Sequence, residues 1–99
     1  MSQSAAEQVD RLVAAVTAID GVVGLYPGGA GAPATHLPGR TIRGVRLGRE
    51  GGQIQVVLEL RERLIDLADH VRDVASDVAG VPVDVVVGDV ALQDSAPAQ

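Results

Sequence analysis

The sequence predicts a single α+β domain of two layers, a four-stranded mixed sheet with two helices on one face, in the order α-β-β-β-α-β. Three observations lead there. Two stretches repeat apolar residues at three- and four-residue spacing, the mark of an amphipathic helix. A central stretch alternates apolar and polar residues, the mark of a strand buried on one face. The second helical stretch is followed at once by a valine-rich run, which makes a βαβ crossover if the strands flanking it lie parallel. Both apolar stripes need the same sheet face, and two layers follow.

Ser4-Ala-Ala-Glu7 reads as a capping box, with the hydroxyl over the first turn and the carboxylate reaching back. Val9, Leu12, Val13, Val16 and Ile19 then form one stripe over residues 5–19, and Asp20-Gly21 ends it. Val22 to Tyr26 is short and β-branched and reads as the first strand. Residues 27–39 hold three prolines and four glycines, so they are expected to form one exposed, mobile loop. Arg40 to Gly48 is expected as a second strand with a bulge near Gly44. Arg49-Glu-Gly-Gly52 is a hairpin turn. Ile54, Val56, Leu58 and Leu60 mark the inward side of the third strand.

Leu64 to Ala79 is the second helix, with Leu64, Leu67, Ala68, Val71, Val74, Ala75 and Val78 inward and Asp66, Asp69, Asp73 and Asp77 outward. Gly80 is placed as its left-handed cap, and Pro82 prevents continuation. Val83 to Val90 is the last strand. The domain is expected to be ordered over about residues 5–91, with a frayed tail over 92–99.

Composition narrows the function. The 99 residues suit one domain. Seventeen valines, nine leucines and four isoleucines stand beside one tyrosine and no Phe or Trp. Without large rings the interior returns little beyond the entropy of ordering the chain, which favours complete packing or self-association. The absence of cysteine excludes disulfides and thiolate metal sites. The polar start, Met1 to Gln8, lacks the pattern of a signal peptide, and no stretch is apolar enough to span a membrane, so a cytoplasmic protein is expected. Net charge is −5, distributed as −2 over residues 1–35, +4 over 36–49 and −7 over 50–99. An acidic chain with one aromatic ring does not suit nucleic acid.

Leu12 to Tyr26, which closes a helix and runs into Gly-Val-Val-Gly-Leu, resembles the opening of the alkaline shock protein family of bacterial envelope-stress proteins. Gly44-Val-Arg-Leu with its glycine turn, and Ile54 to Leu60, are similar to its central strands. Asp69 to Val87 is similar to its closing helix, glycine and valine-rich strand. The resemblance covers about residues 9–90. Arg61-Glu-Arg-Leu-Ile-Asp66 stands where the family has Tyr-Gly-x-x-Ile-Pro, and the Gly/Pro loop is atypical, so the chain resembles a divergent short member. The resemblance implies stress-response assemblies at the cytoplasmic face of the envelope and no enzymatic activity.

Asp66, His70 and Asp73 share a helical face and can hold a divalent metal, although such a face is ordinarily just solvated. Pro27 to Pro33 has the glycines of a phosphate cradle but no Gly-Lys-Ser/Thr and no following helix. Gly21-Val-Val-Gly24 has a GXXG spacing but joins a helix to a strand rather than two helices. Ser2, Ser4, Ser76 and Ser95 show no nucleophile motif with a His–acid pair. No catalytic, metal or cofactor site is therefore expected.

The functional reading is a non-catalytic structural or scaffold protein that binds itself and, by the resemblance, a small membrane-anchoring protein. Parity assigns its contact residues. If Ile54 to Leu60 face the helices on even positions, Val57 points outward, and if Val83, Val85 and Val87 face in, Val86 points out. Tyr26 and Ile42 fall on the same outer side under the simplest register. Arg40, Arg43 and Arg46 flank them with positive charge. The rival reading is a small regulatory or ligand-binding domain with residues 27–39 as a lid.

Overall fold

In a computed structural model, residues 4–29 and 31–92 are described. The order is α1 (Ala5–Thr17), β1 (Val22–Leu25), β2 (Ala34–Leu37), β3 (Arg40–Arg43), β4 (Val45–Leu47), β5 (Gly52–Glu59), α2 (Leu64–Ala79) and β6 (Val83–Ala91). This is an α+β fold of two helices and six strands, in one four-stranded and one two-stranded sheet.

The local signals act where the sequence places them. Glu7 N–H donates to Ser4 Oγ and Ser4 N–H to the Glu7 carboxylate, both at 3.1 Å, which completes the capping box. Gly80 closes α2 at φ 76°, a left-handed conformation that suits glycine. Val9, Leu12 and Val16 of α1 and Leu67, Val71 and Ala75 of α2 share one core with Val45, Ile54, Val56, Leu58 and Val83. Because Ile54, Val56 and Leu58 all lie on one side of β5, both helices are gathered on that side.

β5 is the central strand. It runs parallel to β6 along its whole length, so β5-α2-β6 is the expected crossover. Its other edge is shared by two antiparallel strands placed end to end. β1 takes the later half, Val22 opposite Leu58 to Leu25 opposite Val56. β4 takes the earlier half, Val45 opposite Ile54 to Leu47 opposite Gly52. The junction falls at Gln55. Tyr26 N–H donates to Gln55 O at 2.8 Å, and Gln55 N–H donates to Gly44 O at 2.7 Å. Two residues far apart in sequence thus make the two bonds that one residue of an uninterrupted strand would make.

The intervening segment corrects three expectations. The order α-β-β-β-α-β lacks two strands: one is β2, inside the expected loop over 27–39, which pairs with β3 as a hairpin, and the other comes from a division at Gly44. The loop's glycines and prolines act as punctuation, with Pro38-Gly39 forming the two-residue turn and Gly39 at φ 80°. Pro33 is buried, and its carbonyl accepts from Gly44 N–H at 2.8 Å. Arg40 to Gly48 is not one bulged strand. Gly44, at φ 92°, divides it into β3 and β4, which belong to different sheets. The tail expected from residue 92 lies, beyond Leu92, outside the described residues.

Candidate interaction surface

The face of the four-stranded sheet away from the helices is built from Gln53, Gln55, Val57 and Glu59 of β5, each half-buried, with Arg46 of β4 and Asp84 and Val86 of β6 beside them. Val57 and Val86 therefore stand on the outer side as parity requires, Val57 half-buried and Val86 36% exposed. Tyr26 belongs to the same side, since it is paired with Gln55. Its ring reaches Gly88, where an added Cβ would meet Tyr26 Cγ at 2.6 Å and Tyr26 Cβ at 3.0 Å. Gly28 lies against Gln55 in the same way, with an added Cβ 2.8 Å from Nε2. Tyr26 and the first residues of the inserted segment cover part of this face.

Ile42 is not on it. The register resets at Gly44, so parity counted from β5 does not carry back into β3. Ile42 sits opposite Thr35 in the small sheet and packs against the core, half-buried. Val87 lies opposite buried Val56, on the helix side as expected, but on the edge strand it is 36% exposed, and Leu60, also expected inward, is 47% exposed just past the end of β5. The pairing of β5 with β6 shifts between Val56 and Val57, where Gly88 of β6 is passed over as a bulge while β5 keeps its alternation.

The arginines divide into two groups. Arg40 donates to the Asp10 carboxylate of α1 at 2.8 Å. That hydrogen bond, with the attraction of the carboxylate, holds its pKa above the ordinary arginine value. Arg40 is thus a link between the hairpin and α1 rather than a free contact residue. Arg43 and Arg46 are exposed; Arg46 has a 3.3 Å hydrogen bond to Gln53 Oε1, and neither has an ion-pair partner among the described residues. A residue not singled out from sequence, Arg61, joins the end of β5 to the α1–β1 turn. It bonds Glu59 at 2.6 Å and lies 3.6 Å from Asp20. The bond to Glu59 raises its pKa against the opposing effect of desolvation, and its Nε is buried without a hydrogen-bond partner.

The other candidate chemistries are dispersed. Asp66 pairs with Arg63, and Asp73 lies 3.8 Å from Arg72, so two of the three groups on the His70 face already have cations nearby. Ser4 caps α1, and Ser76 Oγ accepts from Val83 N–H at 2.9 Å, which commits both described serines to backbone amides. Beneath the hairpin, Pro27, Pro33, His36, Thr41 and Arg43 line a hollow of about 160 Å³. Pockets for small molecules usually hold about 300–1,000 Å³.

The remaining feature is an edge. Among the described residues β6 pairs with β5 alone, and it is nine residues long. Its outer flank therefore presents unpaired backbone groups beside exposed Val86 and Val87. Comparison of the chain with family models, curated proteins and solved structures finds no match.

Proposed function

We propose that the chain is a non-catalytic scaffold protein that acts through self-association and protein–protein binding. The open flank of β6, with Val86 and Val87 exposed on a nine-residue strand, carries this reading. Unpaired edges are templates for strand addition, and natural domains usually shorten or cover them. Among the described residues this edge is long and unpaired, and the core beside it is built of aliphatic side chains. The commitment of Ser4 and Ser76 to backbone amides supports a role without chemistry.

The resemblance to alkaline shock proteins supplies the setting. On that reading the assembly stands at the cytoplasmic face of the envelope, held by a small membrane-anchoring partner. No helix among the described residues is long and apolar enough to cross a membrane, so attachment would come through that partner.

Sedimentation velocity over a wide concentration range tests the reading. The wild type is expected to form larger species reversibly as concentration rises, and a Val86→Asp, Val87→Asp double variant is expected to remain monomeric. A wild type that stays monomeric throughout, or a double variant that assembles equally well, would remove the support for it.

A further inference from the structure

Among the described residues, the outer flanks of β6 and β3 are two of the strand edges without a pairing strand, and they carry opposite charge. Along β6 the pattern is set by Gly52 N–H donating to Pro82 O and Leu60 N–H donating to Ala91 O. Asp84 and Val86 therefore turn their backbone groups toward β5, and Val85 and Val87 turn theirs outward. The outward amide of Val83 is already taken by Ser76 Oγ and that of Val90 by the Asp89 carboxylate. In the hairpin, the two-residue turn makes Leu37–Arg40 and Thr35–Ile42 the bonded pairs. Thr41 and Arg43 then face outward from β3. Each open edge offers two residues, spaced two apart.

Charge decides which edge meets which. Arg43 of β3 is exposed and lacks an ion-pair partner among the described residues, as does Arg46, three residues further on in β4. Beside β6 stand Asp84 and, on the last turn of α2, Asp77, both exposed and likewise without a cation among the described residues. Together with Val81, Pro82 and Val83 they line a groove of about 530 Å³. Arg72 also lines it but lies near Asp69 and Asp73. Two β6 edges brought together would oppose carboxylates, and two β3 edges would oppose guanidinium groups. Unlike edges attract.

Resting on the reading that the chain self-associates, we infer that the occupant of the β6 edge is the basic β3 edge of a second copy, with Arg46 of the following strand, β4, adding to its charge. Arg43 and Arg46 of that copy face Asp77 and Asp84 across the junction. A contact between two different surfaces leaves one edge of each copy free, so assembly continues into a ring or an open chain instead of stopping at a dimer. Exposed ion pairs are screened by salt, so the association constant should fall on the order of tenfold or more between about 0.05 M and about 0.5 M ionic strength.

Charge exchange tests the inference by sedimentation velocity on the full chain. One variant carries Arg43→Glu with Arg46→Glu, the other Asp77→Arg with Asp84→Arg. All four positions are exposed, and circular dichroism checks that each variant folds; milder Arg43→Gln and Asp84→Asn variants, expected to weaken assembly severalfold, replace any that does not. Each variant alone is expected to be monomeric, because both of its edges then bear the same sign. An equimolar mixture is expected to recover species larger than a dimer. If the basic-edge variant assembles as the wild type does, or the mixture stays monomeric, the head-to-tail contact is overturned while self-association stands. A wild type that never assembles overturns both.

Discussion

Gly88, the residue passed over in the pairing of β5 with β6, lies against the side chain of Tyr26 so closely that a methyl group there would stand 2.6 Å from Cγ and 3.0 Å from Cβ. The one aromatic ring of the chain thus bears on the bulge of the open strand. Gly88→Ala is expected to destabilise the fold by about 1–3 kcal/mol through overpacking. At roughly 4–8 °C per kcal/mol for a domain of this size, thermal melts will resolve it. Removing the ring in the same chain, as Tyr26→Ala with Gly88→Ala, should recover part of the loss. Strict additivity of the two substitutions would show that the ring and the glycine do not bear on each other.

A second glycine is constrained from both sides. Gly21 ends the α1–β1 turn at φ 100°, and an added Cβ would meet Leu67 Cδ2 at 2.7 Å and Arg61 Cζ at 2.9 Å. Gly21→Ala therefore combines backbone strain with a clash against the α2 core and the Arg61 bridge. The expected loss is about 2–4 kcal/mol, measurable as a lower urea midpoint with the slope unchanged. An alanine variant as stable as the wild type would contradict the packing described for this turn.

The inserted hairpin is expected to be dispensable for folding. Leu25 pairs with Val56 and Val45 with Ile54, which leaves room for one residue opposite Gln55. Deleting residues 27–44 joins Tyr26 to Val45 and supplies that residue, with its N–H and C=O both placed for Gln55. The deletion loses the packing of Ile42 and the Arg40–Asp10 bridge, and the shortened connection offsets part of that. The shortened chain should keep its helical circular dichroism and melt cooperatively, at a lower temperature. A broad, non-cooperative melt would show that the hairpin is integral to the core.

What the sequence disclosed follows from where its signals are local. The stripes of α1 and α2, the alternation of β5 and the cap at Gly80 depend on neighbours within a turn or two, and each was legible. The inserted hairpin was hidden because its glycines and prolines, counted together, resemble an unstructured loop; only Thr35 opposite Ile42 shows them to be punctuation. Parity failed where the strand itself was broken. It placed Val57 and Val86 outward, because the bulge opposite Val56 and Val57 lies at Gly88 on β6, beyond Val86, and leaves β5 regular, and it misplaced Ile42 beyond Gly44. The role of Arg40 is hidden from local sequence because its partner, Asp10, lies thirty residues away on α1. Opposite charge on two separate edges could not be read from linear charge blocks alone, since it depends on β3 and β6 lying in different sheets.

A side-chain hydrogen bond spans the join between α2 and β6. Val83 is buried, and as the first residue of β6 its amide faces away from β5, so no ladder bond reaches it. Ser76 Oγ, one turn before the end of α2, accepts that amide at 2.9 Å. The bond spans the Gly80–Pro82 turn and fixes the angle at which the chain leaves the helix. Ser76→Ala removes the acceptor and leaves a buried N–H unpaired, at a cost of about 1–3 kcal/mol. Ser76→Thr keeps the oxygen and should retain most of the stability. A structural cap and a simple helix-propensity effect can be separated by hydrogen exchange. Loss of the cap should accelerate exchange at Val83 far more than at amides in the middle of α2, whereas a propensity effect would act along the helix. Equal exchange at Val83 in the wild type and the alanine variant would show that the hydroxyl does not hold this amide.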